Sequence, residues 1–245
     1  MKSERGKGGA LAGALGVVAA AAVAAIAIPV VAFAIMALLE LEPAPSMEIA
    51  LQIVLTQGVA MGGVALLYLA LRPRLVRVPI RWPSLGDLQW MVGGTALALA
   101  VMLAGSIIVT LLGIAPAAHH IQEVGEAEPA IFAVLIPLSF LIIGPGEELL
   151  FRGVVQGRLR RAFGPAAAIG LAALVFAALH VVAYTGPMTA RLASLAVLFL
   201  PSLVFGLAYE RTKNIAVPAV IHGGYNAVLL ALSYYAVGMD AGAAP

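Results

Sequence analysis

The chain has 245 residues, 62% of them hydrophobic and only 11% charged, with a mean hydropathy of +1.05. Soluble domains are nearer half apolar and a quarter charged, so this composition excludes a water-soluble globule and reads as one polytopic membrane domain over 1–245. The net charge of +2 is no nucleic-acid signal, because the basic residues fall in short loops. The absence of cysteine excludes a disulfide framework, a thiol nucleophile and a Cys-ligated metal.

A bilayer crossing needs roughly 20 mostly apolar residues. In chain order the sequence predicts spans at 10–38, 47–71, 88–112, 130–160, 164–184, 191–210 and 216–237. That is an all-α bundle of seven to eight transmembrane helices, the eighth being a partial one, with no internal repeat and no soluble domain. The first run follows a basic start (Lys2, Arg5, Lys7) and carries the small-residue stretch "AFA" at 32–34. A signal-peptide core is usually about 7–15 residues, and this run is about twice as long, so a retained helix is expected.

Lysine and arginine set the orientation. Lys2, Arg5 and Lys7 precede the first span, and Arg72, Arg74, Arg77 and Arg81 follow the second. Arg152, Arg158, Arg160 and Arg161 end the fourth, and Arg211 and Lys213 end the sixth. Only Arg191 lies in a segment of the other side, which carries Glu40, Glu42, Glu48, Glu123, Glu126, Glu128 and Asp240. The expectation is an integral protein of the cytoplasmic membrane, with a cytoplasmic amino terminus and an external carboxyl terminus.

Ionisable groups inside apolar spans are costly and usually face a bundle interior or a water-filled cavity. Here they are Glu147, Glu148 and Arg152 on the fourth span, His180 on the fifth, and His222 with Asn226 on the seventh. Glu148 and Arg152 are at i, i+4 and can pair along one helix face, whereas Glu147 is rotated by about 100° from its neighbour. Phe176 with His180, and His222 with Asn226, repeat the i, i+4 spacing. The turn "FGP" at 163–165 makes a basic hairpin of the fourth and fifth spans. Glu147 and His180 lie nearly equal distances to either side of it, so they should stand level, about 20–25 Å from the turn. His222 and Asn226 reach a similar layer from the seventh span. "GPG" at 144–146 is where the long fourth helix is expected to kink or loosen.

Other polar groups read differently. His119 and His120 sit in an acidic outer loop and are expected to be solvated, and Gly153 with Gly157 is a close-packing motif. The patterns of known intramembrane proteases narrow the chemistry further. There is no His-Glu-x-x-His zinc helix and no Gly-x-Ser-x-Gly elbow. The only aspartates, Asp87 and Asp240, fall outside the predicted spans. What remains is a glutamate working with histidine.

"EELLFR" at 147–152, "FAALH" at 176–180 and "HGGYN" at 222–226 resemble, in order and without substitution, the three motifs of the CAAX-protease and bacteriocin-processing family, which includes the type II CAAX prenyl endopeptidases. The resemblance covers roughly 130–230, taken as a catalytic core within the single domain. It implies an intramembrane endopeptidase of about eight helices that hydrolyses a peptide bond of a membrane-associated protein or peptide. Glu147 would then accept a proton from water, His180 would orient that water, and His222 with Asn226 would donate to the oxyanion of the tetrahedral intermediate. Glu148 and Arg152 would hold the helix and the rotamer of Glu147, and Phe176 would pack beside His180.

Glu147, His180 and His222 could also bind zinc with a water, although Asn226 as a ready donor favours a metal-free scheme with no cofactor. The partners implied are a protein or peptide substrate and the lipid bilayer, with no nucleic acid; the sequence leaves the oligomeric state open. Access is expected from the cytoplasm or the lipid, because the basic hairpin opens inward. The alternative is a non-enzymatic membrane protein, either a transporter-like bundle or an immunity or scaffold protein of the same fold.

Overall fold

The computed structural model describes residues 2–242, with side chains placed from 6 to 239. The side chains of Lys2, Arg5 and Asp240, and the carboxyl-terminal end, lie outside the described residues. Eight helices and one strand pair follow in order: α1 (Lys2–Leu38), α2 (Pro45–Leu71), α3 (Leu85–Leu111), β1 (Ala118–His119), α4 (His120–Ala127), α5 (Ala130–Phe163), α6 (Pro165–Leu179), β2 (Tyr184–Thr185), α7 (Met188–Thr212) and α8 (Ala216–Gly242). Seven are long and apolar enough to cross a membrane and coincide with the expected spans to within a few residues, α5 (the fourth span) covering 34 residues. The remaining helix, α4, has 8 residues and lies in the acidic loop before α5.

Local chemistry sets the helix ends. Ser84 caps α3 reciprocally with Asp87, and that box satisfies two orphan donors of the first turn. Asp87 therefore begins the third span as a buried residue, 2% exposed, and pairs with Arg81 at 2.5 Å. The hairpin between α5 and α6 turns on Gly164, whose φ of +78° a side chain would disfavour, and Pro165 then starts α6. Arg158 fastens α1 to the bundle: Nη2 donates to Gly9 O at 2.7 Å, Nε to Ala10 O at 3.0 Å and Nη1 to Tyr68 Oη at 2.6 Å.

Helices α5 and α7 run side by side in one constant register. Arg152 bonds Ser202, Gln156 bonds Gly206 and Arg160 bonds Glu210, three rungs one turn apart on each helix. Parallel alignment at 3.6 residues per turn keeps the three pairs opposite one another. Gly153 and Gly157 do serve close packing, as expected, but against the loop after α2. Added β-carbons would stand 3.0 Å from Val78 Cγ2 and 2.9 Å from Val76 Cγ1 respectively.

"GPG" at 144–146 corrects the expectation. This segment is regular α-helix (Gly144–Glu148), and the loosening falls to either side of it, in π-helical turns at Ser139–Ile143 and Leu149–Gln156. Pro145 has no N–H to close the ladder, and an i→i+5 turn absorbs such a fault while rotating the residues beyond it. The glycines are there for contact. A β-carbon on Gly144 would lie 2.5 Å from Ala219 O of α8, and one on Gly146 would collide with Gln57 O of α2. The stretch before the glutamates is thus a three-helix backbone contact, not an opening.

Gly144→Ala and Gly146→Ala should each cost about 1–3 kcal/mol through overpacking. Gly170→Ala, whose β-carbon would meet nothing within 4 Å, should leave stability unchanged. Thermal unfolding of the three purified variants in one detergent checks this, and equal midpoints would refute the contact reading.

Candidate active site

The centre of the site is a buried cation. Arg152 is 0% exposed. Its Nη1 donates to Glu148 Oε1 at 3.0 Å, and its Nη2 donates to Ser202 O at 2.9 Å and Ser202 Oγ at 2.7 Å. The guanidinium lies between two rings, 4.8 Å from the centroid of Phe176 and 5.3 Å from that of Phe205. A buried charge is tolerated only with good partners, and this one has a carboxylate, a carbonyl, a hydroxyl and two aromatic faces.

Each ring on Arg152 also contacts an imidazole. Phe176 lies against His180 with centroids 4.4 Å apart, and Phe205 stacks on His222 at 4.9 Å and 20°. His180 Nδ1 lies 2.8 Å from Phe176 O; a carbonyl only accepts, so this nitrogen carries the proton and Nε2 faces away. His222 Nδ1 lies 2.9 Å from Glu148 Oε1 and donates to it, which again turns Nε2 outward. Glu148 is the shared acceptor of Arg152 and His222, so it does more than the pairing expected of it.

Both free Nε2 atoms point at one oxygen. Glu147 Oε2 is 3.9 Å from His180 Nε2 and 3.9 Å from His222 Nε2. It is buried with no hydrogen-bond partner among the described residues. Direct hydrogen bonds are shorter than about 3.2 Å, so at 3.9 Å Glu147 Oε2 is bonded to neither ring, and a small molecule can bridge it to an imidazole. The two adjacent glutamates occupy different surroundings, as their rotation along the helix predicts.

The structure thus brings together Glu147, Glu148, Arg152, Phe176, His180 and His222. Asn226 stands one turn beyond His222, half-buried, and makes no hydrogen bond to that group among the described residues. What exposure the group has lies at His180, whose side chain is 22% exposed against 3% for Glu147 and 6% for His222. His180 closes α6 at the end away from the basic turn. Above it the chain forms a strap, with β1 pairing β2 antiparallel, Ala118 opposite Thr185 and His119 opposite Tyr184.

Glu147, His180 and His222 are also the residues that would hold a zinc ion. The donor set of two imidazoles and one carboxylate is chemically apt, but bonds of about 2.0–2.1 Å in a tetrahedron put donors about 3.4 Å apart. At 3.9 Å Glu147 Oε2 would have to draw toward each imidazole by about 0.5 Å to close on such an ion.

Sequence reasoning missed Ser202, Phe205 and His119. Ser202 was findable as a polar residue in an apolar span, one turn before Gly206, matching the spacing of Arg152 and Gln156. Phe205 carried no signal, since a phenylalanine in a membrane helix is ordinary. His119 was expected to be solvated and is instead half-buried, its ring set edge-on to Tyr184 at 5.2 Å, with Nδ1 accepting from Ile121 N at 3.2 Å. Burial, and then the neighbouring His180, hold its pKa down at about 4. His120 remains exposed.

Comparison with known proteins places a family on the same segment. Residues 129–228 match the family model described as type II CAAX prenyl endopeptidase Rce1-like, so the chain carries an Rce1-like region running from the start of α5 into α8. That region contains all three motifs, and it matches the family indicated by them. No curated protein and no solved structure matches the chain.

Two outcomes follow from the geometry. Arg152→Leu strands Glu148 beside His222 without its cation, which should cost about 3–5 kcal/mol, and Arg152→Lys should rescue it poorly because an ammonium cannot reproduce the planar fork. Thermal unfolding of both variants checks this, and a lysine variant as stable as wild type would refute it. His119 has a lower pKa folded than its ordinary 6.5, so the unfolded chain binds the extra proton first as pH falls. Stability should therefore be full above pH 6.5 and decline from there toward 4, with a shallower decline in His119→Gln. Equal slopes for the two proteins would overturn the assignment.

Proposed function

We propose that the chain is an intramembrane endopeptidase that activates water between Glu147 and His180. The observation that carries this is the bare Oε2 of Glu147, buried 3.9 Å from two imidazole Nε2 atoms. A water there can donate one hydrogen to Glu147 Oε2 and the other to His180 Nε2, leaving an oxygen lone pair free to attack. As the oxygen adds to a peptide carbonyl, Glu147 takes its proton, and it then delivers that proton to the departing amine. His222 can donate from Nε2 to the oxyanion when its ring carries both protons, with Nδ1 held by Glu148. Asn226 serves as a second donor if a bound peptide draws it in, and Arg152 holds Glu148, and through it His222, in place.

The substrate class is a peptide bond in a membrane-associated protein or peptide; the Rce1-like match supports a prenylated carboxyl-terminal tail as one form of it. The reaction is written without a metal, since a water held between Glu147 and His180 can be activated by proton transfer to the carboxylate alone. In this reading the basic segments and the amino terminus lie on the cytoplasmic side of the cell membrane, which the excess of Lys and Arg in those segments supports.

Reconstituted protein should cleave a farnesylated tetrapeptide-tailed substrate or a membrane-spanning peptide. Glu147→Gln and His180→Ala should each reduce kcat by about 10²-fold or more, and wild-type activity should survive a zinc chelator. Full cleavage by both variants would sink the mechanism, and loss of activity on chelation with recovery on adding zinc would sink its metal-free form. Because the chain has no cysteine, single cysteines at Arg161 and at Arg191 can be labelled from either face of intact cells. An impermeant thiol reagent should reach the Arg191 position and not the Arg161 position, and the opposite pattern would reverse the orientation.

A further inference from the structure

The structure assigns a second ligand site to the basic end of the bundle: a pocket that binds the phosphate headgroup of an anionic phospholipid. The pocket, of about 250 Å³, lies where the loop after α2 meets the ends of α5 and α7. Arg77, Arg160, Arg161 and Lys213 surround it, with Glu210 as its one acid and Tyr209 and Gln156 on its inner wall. Four cations against one carboxylate leave it strongly positive.

Its walls are built, not frayed. Arg161 Nη1 donates to the carbonyls of Arg74 and Leu75 at 2.9 and 2.5 Å, which fixes one side of the loop. Asn214 holds the other side, with its Nδ2 donating to Arg81 O at 3.1 Å and its Oδ1 accepting from Arg81 N at 3.3 Å. Ile215 N donates to Pro79 O at 3.0 Å.

Donors remain after these bonds are made. Glu210 takes Arg160 Nε at 2.7 Å and Lys213 Nζ at 2.6 Å, so the terminal nitrogens of Arg160 are free to fork onto another anion. Arg77 makes no side-chain hydrogen bond or ion pair among the described residues, although it lines the pocket. The rest of the wall is apolar, from Leu75, Val76 and Pro79. A headgroup phosphate on the cations, with its glycerol and first acyl carbons on that apolar wall, uses both surfaces. A soluble anion would use only one.

Position supports the lipid source. The pocket sits where α5 and α7 pass from apolar spans into charged ends, the level of phospholipid phosphates, and basic pockets between helices there take anionic headgroups. It is about 20 Å along α5 from Glu147 at 1.5 Å per residue, so it is separate from the candidate active site and its occupancy needs no turnover.

Native mass spectrometry of the full chain in detergent, with added dimyristoyl phosphatidylglycerol or phosphatidylcholine, tests the proposal, and repeating it in Glu147→Gln keeps it independent of any protease activity. Phosphatidylglycerol should remain bound where phosphatidylcholine does not. Arg77→Gln and Arg160→Gln should each weaken it about five-fold. Arg77 is exposed and unpaired, so that variant should fold as wild type does. Equal retention of both lipids, or no change in either variant, would overturn the proposal. Inorganic phosphate competing at the same concentration as the lipid would reassign the pocket to a free anion. Displacement of the lipid by a peptide carboxylate at matched concentration would reassign it to the substrate.

Discussion

A guanidinium with no access to water organises this molecule. Arg152 ties three helices through its hydrogen bonds and ring contacts: α5 through Glu148, α7 through Ser202 and Phe205, and α6 through Phe176. The imidazoles that face Glu147 lie against those same two rings, His180 tilted on Phe176 and His222 stacked on Phe205. Burying such a charge is tolerated only with good partners, and although Arg152 Nε has none among the described residues, the bonds of its two terminal nitrogens help fix the helices relative to one another. The register of α5 on α7, repeated at Gln156 with Gly206 and Arg160 with Glu210, extends that constraint along the bundle.

The consequence is a division of labour between two adjacent carboxylates. Glu148 is saturated by Arg152 and His222 on one oxygen. Glu147, turned away by the helix, keeps a bare oxygen between two nitrogens whose orientation is set from behind. Behind the site Arg152, Glu148 and His222 are tied to one another, with Glu148 Oε2 and Arg152 Nε left without partners among the described residues, and in front Glu147 Oε2 stands ready for a molecule the site has yet to receive. The short α6 ends at this level, and the strap of β1 and β2 spans the space beyond it. This leaves His180 as the one partly exposed member.

Much of this was legible in the residues. Seven spans followed from hydropathy because lipid allows little but helices, and the equal spacing of Glu147 and His180 about the turn at Gly164 placed them level. The motif residues Glu147, Glu148, Arg152, Phe176, His180 and His222 converge as expected. What stayed hidden was decided by contacts between helices. "GPG" looks like a kink in one helix and is instead where α2 and α8 press their carbonyls against α5. Ser202 and Phe205 acquire meaning only through a register that no single segment encodes. His119, in an acidic loop, is drawn in by a strand pair of two residues, too short to have a pattern.

The central claim is that the space bounded by Glu147 Oε2, His180 Nε2 and His222 Nε2 holds a water and not a metal. An experimental structure with diffraction collected across the zinc absorption edge measures this directly. The account predicts a single light-atom peak within about 2.7–3.2 Å of Glu147 Oε2 and His180 Nε2, with no anomalous signal. An anomalous peak about 2.0–2.1 Å from both imidazole nitrogens, or Glu147 closed directly onto either ring, would contradict it.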